Sequence, residues 1–250
     1  MKINLIGAQL ISAEIFNGSN IFYLSSFSKI NNISRGGVPI IFPQFGYSGL
    51  LKKHGFAREL AWVELESSIT KSQEIAKYEL EINPFTFENW EFKAKLFLTC
   101  KLIKSTSLSI YLQIQNTGDK SFSFTGGLHP YFSIKSRKDL KILGLANTPY
   151  LDTDPLINSF ALNDNTGIER LFYTNSNLQI NTGFDRLNLT VVGFENWMIW
   201  NPGIKGAKNI DDLPNTDWDK FVCIEPLVNK NGVNLDPNEI FNGELIIKRV

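Results

Sequence analysis

The chain has 250 residues, 43% of them apolar, enough for a sizeable buried core in one large domain or two small ones. Lysine and arginine (25) balance aspartate and glutamate (25). The basic footprint that a nucleic-acid or membrane-surface partner demands is missing, so an anionic ligand has to be held by a few placed cations.

At the N-terminus, Asn4, Gln9 and Glu14 interrupt the apolar stretch and no small-residue cleavage site follows, which argues against a signal peptide. No run reaches transmembrane length. Strands are predicted at 20–25, 61–66 and 76–82. Over 91–99, Phe92, Ala94, Leu96 and Leu98 alternate with Glu91, Lys93 and Lys95; over 107–115, Leu108, Ile110, Leu112 and Ile114 alternate with Ser109, Tyr111, Gln113 and Gln115. A period of two buries one face and leaves the other toward solvent, the mark of antiparallel sheet. Further strands are predicted at 140–144, 187–193, 197–200, 220–225 and 244–249, and 145–170 reads as long loops. Turn signals lie at Asn17-Gly18, 116–119, 201–203, Asn231-Gly232 and Asn242-Gly243.

No segment carries an amphipathic helix capped at both ends, and no repeat or low-complexity linker divides the chain. The expectation is an all-β protein, one large antiparallel β-sandwich domain over 1–250. Cys100 and Cys223 each sit in an apolar, strand-like run. Their separation gives neither a disulfide framework nor a metal-ligand spacing, so two reduced core thiols in a cytoplasmic protein are expected.

No G-x-S-x-G elbow, P-loop or G-x-G-x-x-G fingerprint occurs. Two histidines and two distant cysteines offer no conventional zinc site, so no metal or cofactor is expected and acid–base chemistry or plain binding remains. His54 and His129 are the only side chains whose ordinary pKa lies near neutrality. His129 follows Gly126-Gly127-Leu128, where paired glycines end a strand, and precedes Pro130, which blocks regular continuation. A hydrogen-bonded structural histidine and a displayed functional one are both open readings. His54 lies among Lys52, Lys53 and Arg58, either a solvated loop or, with Arg35-Gly36-Gly37, a place where backbone and guanidinium forks meet an anion. Glu225 ends the run 221–224 before Pro226, as a strand leaving the core or as a partly buried general base. Trp200-Asn201-Pro202-Gly203 reads as a tight turn under a core tryptophan rather than a platform for a sugar ring.

The segments RGGVPIIFPQFG (35–46), HGFAR (54–58), GGLHPYF (126–132), WNPGIKGAKNIDD (200–212) and CIEP (223–226) together resemble the aldose 1-epimerase (galactose mutarotase-like) superfamily, most closely its glucose-6-phosphate 1-epimerase branch. The resemblance spans nearly the whole chain. It implies a β-supersandwich and a cofactor-free isomerase acting on a small-molecule sugar or sugar phosphate. It further implies that His129 protonates the ring oxygen and that Glu225 takes the proton of the C1 hydroxyl. Arg35 and Arg58 would bind substrate, with phosphate as their target, and His54 would bind the sugar near its reacting end. Lys53 stands where the phosphate branch usually carries glutamine. Glu169 before Arg170 matches the family's substrate-binding aspartate best, with Asp185 before Arg186 the second choice.

Opening a pyranose hemiacetal needs one proton delivered to the ring oxygen and one removed from the anomeric hydroxyl, so one acid and one base suffice. The expected resting form has His129 protonated and Glu225 ionised. A monomer is expected. The rival readings are a mutarotase of unphosphorylated aldoses and a non-catalytic carbohydrate-binding protein on the same scaffold.

Overall fold

The computed structural model describes residues 1–16, 19–28, 34–152 and 167–250, so the Asn17-Gly18 turn signal and most of the 145–170 stretch lie outside the described residues. Two antiparallel sheets face each other. The larger has eight strands in the order Lys141–Leu143, Leu178–Asn181, Arg186–Val192, Ile240–Arg249, Ser107–Asn116, Ala94–Ile103, Gln73–Ile82 and Val63–Ile69. The other has seven: Tyr150–Asp152, Ile168–Phe172, Asn196–Asn201, Phe221–Leu235, Phe122–Leu128 and Ile40–Ile41 in order, with Tyr131–Ser133 also pairing Phe221–Leu235.

The alternation read from the sequence decides which atoms meet between the sheets. Ala94, Leu96, Leu98, Cys100 and Leu102 point inward from one strand, and Leu108, Ile110, Leu112 and Ile114 from its neighbour. From the seven-stranded sheet Ile40, Phe132, Ile168, Phe172, Trp197, Ile199, Val222, Ile224 and Val228 join the same core. Burial of these side chains, at about 25 cal/mol per Å² of apolar surface, is the main force holding the sheets together. Among the described residues the one α-helix is the five-residue Gly203–Ala207.

Several local expectations are corrected. Residues 21–25 form isolated bridges, Phe22 to Phe132 and Leu24 to Gly36, rather than a regular strand. Tyr150–Asp152 and Ile168–Phe172 are strands within the stretch read as loops. Asn242-Gly243 is not a turn but lies inside Ile240–Arg249, where Gly243 pairs with Leu112. A Cβ at Gly243 would come within 2.5 Å of the Phe194 ring, so the glycine makes room for an aromatic. Phe221–Leu235 continues through Pro226 and absorbs Asn231-Gly232 as an irregularity in its pairing with Phe122–Leu128.

Pro226 is tolerated in a central strand because the partner strand is itself broken there. Gly127 pairs with Leu227 and Tyr131 with Cys223 in one unshifted register, so Leu128, His129 and Pro130 lie opposite Pro226, Glu225 and Ile224 in a stretch where only the regular ladder bonding lapses. The Ile224 N–H reaches the Pro130 carbonyl at 3.4 Å, and by strand alternation the Pro226 nitrogen faces the same break. Gly127 has φ +151°, and a Cβ there would lie 2.2 Å from the Pro226 carbonyl oxygen. Gly127→Ala is expected to cost at least ~2 kcal/mol, read as a lower urea midpoint with an unchanged m-value.

Candidate active site

In a two-layer sandwich the second face of each sheet normally meets water. Here the second face of the seven-stranded sheet is buried as well. Cross-strand register places Leu171, Met198 and Glu225 in one row across that face, and Glu169, Trp200, Cys223 and Tyr131 in the next. Segments 42–58 and 202–219 lie over them, and Tyr23, Tyr131, Ala207, Leu213, Phe221 and Cys223 form a second, smaller core. Between sheet and cover is a cavity of about 230 Å³ whose lining includes Arg35, Lys53, His54, Arg58, His129, Glu169 and Glu225. All seven residues singled out from the sequence thus meet in one place. Asp185 does not; it lies in a separate depression with Thr182 and Phe184 and faces Arg249 at 3.6 Å.

His129 is fixed by its neighbours on both sides. Its backbone N–H donates to the Pro39 carbonyl (2.9 Å), and its ring stacks on Tyr131 at 4.8 Å between centroids. Its Nε2 stands 3.3 Å from Oε1 of Glu225. His54 occupies a left-handed backbone conformation (φ +66°), its N–H donating to the Gly46 carbonyl and its Nδ1 accepting the Gly46 N–H at 3.2 Å. Arg35 is held from two directions. Nε and Nη2 reach Oδ1 of Asp212, each at 2.9 Å, and Nη1 donates to the Tyr131 hydroxyl at 3.2 Å. Arg58, in the short helical turn Ala57–Glu59, donates from Nη2 to the Lys53 carbonyl at 2.9 Å.

Burial sets the charge states. It is the first cause that pushes the His54 pKa down to about 3, followed by the positive charges of Arg58, Lys53 and Arg35. His54 is neutral at any working pH, and since Nδ1 is an acceptor, its proton sits on Nε2 as a donor. Burial likewise holds His129 well below the ordinary imidazole value, with His54, Arg58 and Arg35 adding to it. Glu225 is pushed well above the usual carboxylate range by burial and by the nearby charge of Glu169, against the opposing pull of Lys53 and Arg58. Burial therefore works against an imidazolium–carboxylate pair in the protein alone, favouring a neutral His129 and a protonated Glu225. His129 Nδ1 and Glu225 Oε2 are buried without a hydrogen-bond partner.

Sequence reasoning missed Tyr131 and Asp212, although both lie inside segments it quoted. Nothing local marks Asp212, which meets Arg35 from 177 positions away. Trp200, read as a core tryptophan above a tight turn, forms part of the cavity wall with Met198 and Ile210.

The family model described as aldose 1-epimerase matches residues 1–248. The chain belongs to the aldose 1-epimerase family. A provisionally named glucose-6-phosphate 1-epimerase of Cenchrus ciliaris is 27% identical over 273 residues, covering 100% of this chain and 81% of that protein. A Salmonella typhimurium protein of the same provisional name is 27% identical over 241 residues, 88% of this chain and 77% of its own. A crystal structure from Salmonella typhimurium, described as that of a provisionally assigned mutarotase, superposes with TM-score 0.85 at 22% identity, over 98% of this chain and 86% of that one. A galactose mutarotase-like protein from Lactobacillus casei superposes with TM-score 0.72 at 17% identity, over 99% and 96%.

Two consequences of burial in this epimerase can be measured. Nitrogen-15 NMR should show His54 as the Nε2–H tautomer, with no titration between about pH 5 and pH 8. Glu225 binds its proton more tightly folded than unfolded, so above the unfolded value of about 4.3 its ionisation tendency destabilises the fold, increasingly until the folded pKa is passed. Glu225→Gln should therefore raise the thermal midpoint at pH 7, and the gain should shrink as the pH falls toward about 4.

Proposed function

We propose that this epimerase interconverts the α and β anomers of a hexose 6-phosphate, with glucose 6-phosphate as the leading substrate, through proton transfers by His129 and Glu225. The observation that carries this reading is the 3.3 Å pair of His129 and Glu225 on the floor of a cavity that Arg35, Lys53 and Arg58 also line. The cavity is smaller than the roughly 300–1,000 Å³ of sites for drug-sized ligands, which suits a single sugar ring. The names of the relatives point to the same sugar phosphate.

The reaction needs one mobile proton, and the pair holds one. Transfer of that proton from Glu225 to His129 produces the working form, an imidazolium and a carboxylate. His129 then protonates the ring oxygen while Glu225 removes the proton of the C1 hydroxyl. The ring C1–O bond breaks, C1 becomes an aldehyde, and rotation about C1–C2 presents its other face. Closure reverses both transfers and returns each proton to its origin. His54, with Nε2–H as donor, holds a sugar oxygen, and Glu169 accepts from a hydroxyl. Arg35, Lys53 and Arg58 take the phosphate, the two arginines as planar forks and Lys53 as a point charge.

Exchange NMR on glucose, galactose and their 6-phosphates tests the reading. The protein should accelerate α/β exchange of the phosphates above that of the free sugars. Acceleration of free sugars alone would overturn the phosphate assignment, and acceleration of none would leave a binding protein. His129→Asn and Glu225→Gln should each lower the rate by about 10²–10⁴-fold, the usual worth of a positioned acid or base. Arg35→Ala and Arg58→Ala should mainly raise KM for the phosphorylated sugar, so a KM unchanged in both removes them from phosphate binding.

A further inference from the structure

We infer that the floor of the cavity also binds a thiophilic divalent cation, Zn²⁺ above all, through His129, Cys223 and Glu225, and that the metal-bound protein is catalytically silent. Cys223 and His129 lie far apart along the chain, so no ligand spacing marks such a site. Pairing of Tyr131 with Cys223 brings the segment carrying His129 beside the strand carrying the thiol. Cys223 and Glu225, two positions apart on one strand, point to the same face. The nitrogen, sulfur and oxygen ligand atoms of the three side chains all lie within 4.8 Å of one another, and all three residues are buried.

The spacing suits a tetrahedral ion. Zn–N and Zn–O bonds of about 2.0–2.1 Å at the tetrahedral angle put N and O about 3.3–3.4 Å apart. Nε2 and Oε1 already stand at 3.3 Å. A sulfur bonded at about 2.3 Å belongs about 3.6 Å from each, so from a separation of no more than 4.8 Å the thiol has to close by about 1.2 Å at most. A mixed Cys, His and carboxylate set is one that Zn²⁺ accepts, and His129 and Glu225 both line the cavity. Charge balances as well: thiolate and carboxylate together cancel the dication, so the neighbouring Arg35 and Arg58 meet a neutral cluster rather than a third positive charge. Binding releases two protons to solvent, one from the thiol and one from the acid–base pair. The ion takes the Nε2 lone pair and the carboxylate oxygen through which the pair moves its proton, which leaves neither acid nor base. Only this loss of activity rests on the proposed epimerase reaction; the binding itself does not.

Co²⁺ added to the metal-free protein as a spectroscopic probe decides the matter without any sugar. The expected result is one equivalent bound, with a sulfur-to-cobalt charge-transfer band and tetrahedral visible bands, both abolished by Zn²⁺. Cys223→Ser should lose the charge-transfer band, keep metal-free anomerisation, and need at least about 100-fold more Zn²⁺ for inhibition. Cys100→Ser, altering the thiol of the other sheet, should behave as the wild type. If Cys223→Ser does not fold, Cys223→Ala and the wild-type spectrum serve instead. Absence of the thiolate band in the wild type, or equal Zn²⁺ sensitivity of wild type and Cys223→Ser, overturns the inference. Should no sugar be turned over at all, the band still reports on the metal site alone.

Discussion

His129 and Glu225 face each other at 3.3 Å with residue exposures of 6% and 1%, and the rest of the site is arranged around keeping that pair dry. A lone charge moved into such surroundings costs several kcal/mol, and a neutral pair sharing one proton avoids most of it. Neutrality at rest and readiness to separate charge are two aspects of the same burial. Water is excluded because the outer face of the seven-stranded sheet is covered. Leu171, Met198 and Leu227 pack around Glu225 under the loops instead of meeting solvent. Donors and acceptors in such a setting act at low dielectric, where their pull on a developing charge is greatest.

The cations are fixed as firmly as the proton carriers. Arg35 spends its Nε and Nη2 on Asp212 and its Nη1 on Tyr131, whose ring stacks on His129. The guanidinium of Arg35 and the His129–Glu225 floor of the cavity are therefore parts of one packed unit. A guanidinium held in this way loses little side-chain entropy when an oxyanion arrives. Asp212 offsets the charge that Arg35 would otherwise add beside an imidazole whose protonation burial already disfavours.

The fold was legible wherever one sheet face was wet. The strands around 94–103 and 107–116 alternate cleanly because their inner side chains meet the core and their outer ones meet water. The functional sheet was harder to read because both of its faces are dry. Phe221-Val222-Cys223-Ile224 shows no alternation, and a charged residue followed by proline looked like a strand's end. That same feature made Glu225 conspicuous, since a carboxylate in an unbroken apolar run requires an explanation. Gly126-Gly127 was visible as punctuation, but its cause was not. The Pro226 carbonyl that excludes a Cβ at Gly127 lies on another strand. Asn242-Gly243 misled for the same reason, because the Phe194 ring that requires a glycine there is 49 positions away by numbering (243 − 194). Asp212 and Tyr131 were inside recognised segments, yet what they do is defined only by partners from distant parts of the chain.

The break in sheet pairing at His129-Pro130 joins these points. Gly127 with Leu227 and Tyr131 with Cys223 keep one register, so residue 129 stands opposite Glu225 and strand alternation commits its side chain to the same face. Pro130 and Pro226 each lack a ladder N–H in this stretch, yet the register is held and Tyr131 resumes regular pairing. On its other edge the same stretch continues its register with the segment that closes the cavity, through the His129 N–H to the Pro39 carbonyl and the Tyr131 N–H to the Gly37 carbonyl. The stretch that carries Arg35 is thereby tied to the one that carries His129 by backbone bonds, independently of any side chain. Pro226 opposite the break has no N–H to leave unsatisfied, which makes it the residue that costs least at that position. A register held across two prolines and a glycine pressed against the Pro226 carbonyl are thus one device, and its product is the position of a single imidazole opposite Glu225.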